Sequence, residues 1–278
     1  MFDLHIHSKN SPDSTQTIEE ICESAIARGL TGFALCDHVD TWFFEKDHMY
    51  EGLQGSIQDV KKAKALYGDR LDILQGVEMA EYLSFPEKAE SILSLTDFDM
   101  ILGSVHSLYY EDIDDAYSRV DFSVMPEEKI KGFLKEYFFR MKEMIDKTDF
   151  DVLSHLTCPL RYINGKYHRN IDAMAFISDI REILDMIIGK DIAMEINTSG
   201  VGGFYNEYMP DRRIWKLYAE MGGKKITVGS DAHTPQSVGN AFPQTMALLQ
   251  DMGFSHYCVF RGRQAQERPL AVYTKNMK

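Results

Sequence analysis

The chain reads as an α/β protein in which seven strand-and-helix units build one parallel sheet or barrel, slightly short of eight units. Three observations predict this. Short apolar runs alternate regularly with amphipathic helical patterns, which argues against strands and helices being segregated. Each apolar run carries a histidine or a carboxylate at or near its downstream end: FDLHIH, GFALCDH, DILQGVE, MILGSVH, FDVLSH, IAMEIN and ITVGSDAH. The length, 278 residues, suffices for one such unit with a sizeable core, and no linker or internal repeat marks a boundary, so residues 1–278 are expected to form a single domain.

Taken in order, strands are expected near 2–6, 31–36, 71–77, 99–104, 150–154, 191–196 and 225–229. Helices are expected near 17–28, 55–67, 126–146, 171–188, 211–221 and 237–252. Thr17 followed by Glu20 forms a capping-box pattern at the first helix, and Gly29 stands where a helix C′ glycine belongs. Within 171–188, Phe176, Ile180, Ile183, Leu184 and Ile187 recur at three- and four-residue steps and make one apolar face. The irregular stretches 40–54, 107–125 and 197–210 follow strand ends, where loops roof the site of a barrel.

Composition narrows the function classes. Thirty basic against 43 acidic residues give a net charge of −13, which speaks against a nucleic-acid polymer or an anionic membrane as partner. No run approaches the apolar length of a membrane span. Cys22, Cys36, Cys158 and Cys258 lie far apart without CxxC spacing, as free thiols of a reducing compartment do, and the expected location is cytoplasmic. Nothing in the sequence speaks to oligomeric state.

The strand-end residues carry the chemistry. His5 and His7 lie two apart, so on a strand they share a face and can chelate one ion. Asp231 and His233 repeat that spacing on another strand. Glu78 follows an apolar run as either a bridging ligand or a solvated cap. His38, His106 and His155 each close a run, and Asp13 sits in a turn. Singly each has an ordinary structural explanation; jointly they point to a polynuclear metal site. A zinc finger is excluded because the candidates span residues 5 to 233, and neither GxSxG nor GxxxxGK[ST] occurs. His48, His168 and His256 fall outside the pattern.

The series DLHIHS…SPD, CDH, GVE, GSVH, LSH and GSDAH, from Asp3 to about Gly239, resembles the PHP (polymerase and histidinol phosphatase) family. That resemblance implies a distorted (β/α)7 barrel, a TIM-barrel-like PHP fold. It also implies a trinuclear site: His5, His7, Glu78 and Asp231 around one metal, Glu78 with His106 and His155 around a second, and Asp13, His38 and His233 around a third. At the position of Asp13, close relatives often carry histidine. The length and the segment EINTSG resemble the histidinol-phosphate phosphatase branch. The implied activity is hydrolysis of L-histidinol phosphate, a small phosphorylated metabolite of histidine biosynthesis, with another small phosphomonoester or a nucleotide as the alternative and a non-catalytic metal-binding module as a third reading.

Two or three divalent ions would acidify a shared water and deliver hydroxide in line to phosphorus; mixed N/O ligation suits Zn, Fe or Mn. The leaving alkoxide could take its proton from metal-bound water, Asp37 or His233. Arg161 is either a phosphate clamp or a solvated loop residue. Asn197 is either a substrate contact or, with Glu195, support for a ligand histidine. The 40–54 loop offers Trp42, Phe43 and Phe44 to a flat imidazole and Asp40 and Glu45 to an ammonium; these aromatics could equally pack on the barrel rim.

Overall fold

A computed structural model describes residues 1–270. Its elements run β1 (Phe2–Ile6), α1 (Ile18–Ala27), β2 (Gly32–Leu35), β3 (His38–Asp40), α2 (Met49–Tyr67), β4 (Asp72–Ala80), α3 (Pro86–Leu93), β5 (Met100–Ser104), β6 (Ser107–Tyr110), β7 (Ile113–Ala116), α4 (Glu127–Lys147), β8 (Val152–Leu153), α5 (Ile177–Gly189), β9 (Ala193–Asn197), α6 (Arg212–Glu220), β10 (Ile226–Gly229), α7 (Phe242–Asp251), β11 (His256–Arg261) and β12 (Gln264–Pro269).

Seven strands form a parallel series in the order β1-β2-β4-β5-β8-β9-β10. All residues of β1, β2, β5, β8, β9 and β10 are buried, the pattern of strands covered on both faces. The two ends meet: Asp231 N–H donates to the His5 carbonyl at 2.7 Å and His7 N–H to the Ala232 carbonyl at 3.0 Å. The result is a nearly closed, distorted seven-stranded barrel, which resolves the sheet-or-barrel choice left by the alternation and matches the form that the PHP resemblance implies, and each of the seven expected strands has its counterpart.

Local sequence explains the boundaries. At α1, Glu20 N–H donates to Thr17 Oγ1 and Thr17 N–H to the Glu20 carboxylate, completing the capping box, and Gly29 takes φ +68°. Helix α2 starts at Met49, earlier than 55, because Gly52 and Gly55 interrupt the apolar period; a Cβ on either would run into Asn10. The expected 171–188 helix begins with a separate 3-10 turn at Ala173–Phe176. Helix α7 starts at Phe242, later than 237, since Gly239 has φ +63° and Pro243 fits only the first turn.

Short elements escape the periodicity altogether: β3, α3 and the hairpins β6–β7 and β11–β12. The last hairpin floors the barrel at the strands' N-terminal ends. There Arg261 pairs with Asp72, and Arg263 reaches Asp149 at 2.9 Å and Asp151 at 3.1 Å. No helix among the described residues is long and apolar enough to cross a membrane.

Candidate metal centre

The parallel register delivers the strand-end residues to one place. After β2 the chain breaks at Cys36–Asp37 and resumes as β3, pairing His38 with Glu78 in the register of β4. Strand β4 extends past its expected end at 77, so Glu78 lies within a ladder, opposite Leu102 of β5, and not in a loop after it. His5 and Glu78 are fully buried, and Gly229 leaves room for them: a Cβ there would collide with Glu195 Oε1 and His5 Cβ.

Three groups of donor atoms converge. His5 Nε2 and His7 Nε2 lie 3.2 and 3.5 Å from Glu78 Oε2, and Asp231 Oδ1 is 3.2 Å from His7 Nε2. His106 Nε2 and His155 Nε2 lie 3.2 and 2.7 Å from the other oxygen, Glu78 Oε1, and 3.5 Å from each other. Asp13 lies 3.6 Å from His38 Nε2 and 3.2 Å from His233 Nε2, with those two nitrogens 3.4 Å apart. His38 also turns Nδ1 to Glu78 Oε2 at 2.9 Å, so Glu78 stands at the centre of the set. All nine residues expected as ligands are thus brought together.

The outward nitrogens of His5, His7, His106 and His233 are fixed by neighbours. Ser11 Oγ donates to the Asp37 carboxylate at 2.8 Å, so it accepts from His7 Nδ1 at 3.2 Å and leaves the His7 Nε2 lone pair facing inward. His106 Nδ1 meets Asp40 at 3.0 Å, His5 Nδ1 meets Glu195 at 2.7 Å, and His233 Nδ1 donates to the Asp231 carbonyl at 2.9 Å. Metal-ligating histidines are held in this way. Meanwhile His5 Nε2, His7 Nε2, His38 Nδ1 and Glu78 Oε2 are buried without a hydrogen-bond partner. Buried polar atoms are rarely left so, and imidazole lone pairs aimed at one another with a carboxylate between them fit divalent cations.

The charges agree. Burial opposes ionisation of Glu78, yet His5, His106 and His38 hold its carboxyl well below the usual range. Burial works against the His5 imidazolium, but Glu195, Glu78 and Asp231 override it and raise its pKa. His38 and His106 are raised against burial in the same way, by Glu78 with Asp13 and by Asp40 with Glu78. His7 goes the other way, pushed down by burial and by His38 and His233.

An open cleft of about 320 Å³ leads to this centre. Its outer wall carries Phe43, Asp47, Tyr117, Arg119, Arg161 and Tyr162, and Asp40 lies beside the metal-side histidines. Of the irregular stretches, 40–54 and 107–125 line it; 197–210 approaches through Ser199, which accepts from Arg161 at 3.1 Å.

Three expected contacts do not reach the cleft. The Asp37 carboxylate is buried, does not line the cleft, and accepts from Ser8 N–H, Ser8 Oγ and Ser11 Oγ at 2.6–2.8 Å, which removes it as a proton donor to a substrate. Asn197 is buried, its amide donating to Glu195 at 3.1 Å and its oxygen accepting from Ser199, so it supports the centre and cannot touch a ligand. Trp42 faces a different cavity, with Tyr82, Phe85 and Leu108; one residue on, Phe43 faces the cleft. His233 does reach the cleft, with Nδ1 donating and Nε2 turned to Asp13. Sequence reading passed over Ser11, Ser104, Glu81 and Arg119. Ser104 Oγ donates to Glu78 at 2.6 Å, but a lone serine gives no periodic or spacing signal.

Residues 3–199 match the PHP domain family. The chain belongs to the PHP family. Residues 211–246 also match a PHP-associated family. The chain is 26% identical over 278 residues to the histidinol-phosphatase of Lactococcus lactis, covering 97% of this chain and 98% of that one. It is 26% identical over 259 residues to a Thermotoga maritima protein named "Probable histidinol-phosphatase", covering 93% and 95%. In fold it resembles the crystal structure of the Lactococcus lactis histidinol phosphate phosphatase complexed with zinc, L-histidinol and phosphate, with a TM-score of 0.75 at 22% identity and coverage of 95% and 98%.

Proposed function

We propose that this PHP protein is a metal-dependent phosphatase that hydrolyses L-histidinol phosphate to L-histidinol and phosphate, with the whole chain acting as one catalytic unit in a reducing, cytosolic setting. One observation carries the reading: imidazole nitrogens and carboxylate oxygens from six strand ends converge on Glu78 and Asp231 beside a cleft, and His5 Nε2, His7 Nε2, His38 Nδ1 and Glu78 Oε2 have no hydrogen-bond partner. The relatives bearing the histidinol-phosphatase name match this chain nearly end to end, which supports the choice of ester.

His5, His7, Glu78 and Asp231 would hold one ion, Glu78, His106 and His155 a second, and Asp13, His38 and His233 a third, with Zn, Fe or Mn suited to the donor set. When bound, divalent ions neutralise phosphoryl charge and acidify water near neutral pH. The chain supplies the rest. Arg161, already oriented by Ser199, would clamp a non-bridging phosphoryl oxygen; its side chain lines the same cleft as Asp13 and His233. Glu195 fixes the His5 ring and also accepts the His155 N–H at 2.8 Å, so one carboxylate orients residues of two ion sites. With both nitrogens engaged, His233 serves as a ligand and not as the proton donor to the leaving alkoxide. Phe43 offers a flat wall to the imidazole of the substrate, and Asp47 and Asp40 offer carboxylates to its ammonium.

The test is phosphate release from L-histidinol phosphate, an aryl phosphate and a mononucleotide, with Zn²⁺ or Mn²⁺ supplied. Turnover of histidinol phosphate far above the other two is expected. Preference for another ester would keep the metal chemistry and discard the substrate; no release from any of the three would contradict the enzymatic reading.

A further inference from the structure

His106 has to leave the sheet at a sharp bend, and the residue that holds the bend lies outside the ligand set. Strand β5 ends at Ser104, and two residues later the chain enters the hairpin β6–β7. The N–H groups of His106 and Ser107 both donate to Glu81 Oε1, at 2.5 and 2.9 Å. Glu81 follows the last residue of β4 and takes a left-handed backbone conformation, φ +52°. Its own carbonyl accepts from Thr41 Oγ1 at 2.7 Å, directly after β3. One buried residue therefore ties together the ends of β3, β4 and β5, which carry His38, Glu78 and His106. The ring of His106 is pinned separately by Asp40, so Glu81 governs where the backbone puts that ring and Asp40 how the ring turns.

We propose that Glu81 is a positioning residue that sets the His106 backbone for coordination of the ion shared with His155 and Glu78. This rests on the metal reading above and adds a residue that touches neither ion nor substrate. A carboxylate that merely satisfied two buried N–H groups would change stability alone. A positioning carboxylate changes the affinity of one ion among the set, because His5, His7 and Asp231 are anchored by the β1–β10 closure and by Glu195, with no bond to Glu81.

The experiment measures Zn²⁺ stoichiometry and affinity by chelator competition, beside thermal melting, for the full-length protein and three variants. Glu81→Leu should weaken one ion about 10- to 100-fold and leave the tightest ion unchanged. Glu81→Gln, which keeps an acceptor oxygen, should stay within a few-fold of the parent. Should the leucine variant fail to fold, Glu81→Gly removes the carboxylate while suiting the left-handed backbone, and the same selective loss is expected. Unchanged affinities in the leucine or glycine variant, or an equal weakening of every ion alongside a lowered melting temperature, would overturn the proposal. A parent protein that binds no divalent ion would overturn the metal reading itself, which is a distinguishable result.

Discussion

Both ends of this barrel are rich in carboxylates, and the two ends treat them oppositely. At the floor, carboxylates meet a cation or a backbone donor: Asp72 has Arg261, Asp149 and Asp151 share Arg263, Asp191 has Lys225, and Asp99 accepts from Gln75 and Gly262 N–H. At the opposite end, Glu78 and Asp231 face six imidazoles between them, and buried donor and acceptor atoms remain without hydrogen bonds. Closed charge pairs describe an end built for stability. Convergent, unpartnered lone pairs describe an end built to receive cations. Fold stability and function therefore sit at opposite ends, as in other barrels of alternating strands and helices, and mutations at the two ends should separate cleanly.

The largest effect is expected at the centre of the receiving end. Glu78→Ala removes the carboxylate between the first two ion sites and should abolish turnover while circular dichroism still reports the barrel; retained activity would break the contrast. Arg161→Met should lower kcat on the order of 100-fold with metal content unchanged, as removal of one charge-stabilising donor does. Glu195→Gln leaves ligand identities intact but loosens His5, and should reduce metal affinity or activity about 10- to 100-fold. At the floor, Arg263→Ala leaves the largely buried Asp151 without its cation and should cost about 1–3 kcal/mol of stability by denaturant unfolding, with phosphatase activity unaffected.

A pH series sharpens the comparison further. In the metal-free fold His5, His38 and His106 titrate above their ordinary value, held up by neighbouring carboxylates against the opposing effect of burial. Those imidazolium–carboxylate pairs stabilise the fold below the unfolded pKa of about 6.5. The contribution is lost as pH rises through the raised values. Metal ions displace the same protons, so the stabilisation on adding Zn²⁺, read by denaturant unfolding, should grow from about pH 6 to about pH 8, by about 1.4 kcal/mol per pH unit for each proton displaced. A gain independent of pH would mean that the ions bind elsewhere.

What the sequence reveals follows from what leaves a periodic or repeated trace. The seven strands and eight of the nine residues of the receiving end are legible because the same event, an apolar run ending in a ligand-type residue, recurs strand after strand; Asp13, in a turn, is legible only through the PHP resemblance. Residues that act through a single tertiary bond leave no such trace. Asp37 looks like a site residue because it stands beside His38, yet the turn at Ser8–Ser11 folds over it, buries it and engages both of its oxygens. Trp42 and Phe43 are indistinguishable in a loop until the turn after β3 sends them to different cavities. Glu81 and Ser104 contact their partners only after β4 and β5 pair. The flooring hairpin is missed because β12, with the sequence QAQERP, is largely exposed and carries no apolar alternation.

The most direct test of the account is the divalent metal content of the purified protein beside that of Glu78→Ala, measured by elemental analysis after dialysis. Two or three ions per chain in the parent, with the Glu78 variant losing the two that share its carboxylate, is the expected result. A parent devoid of divalent metal after loading, or a Glu78 variant holding the same complement, would contradict the assignment of this end of the barrel as a metal centre.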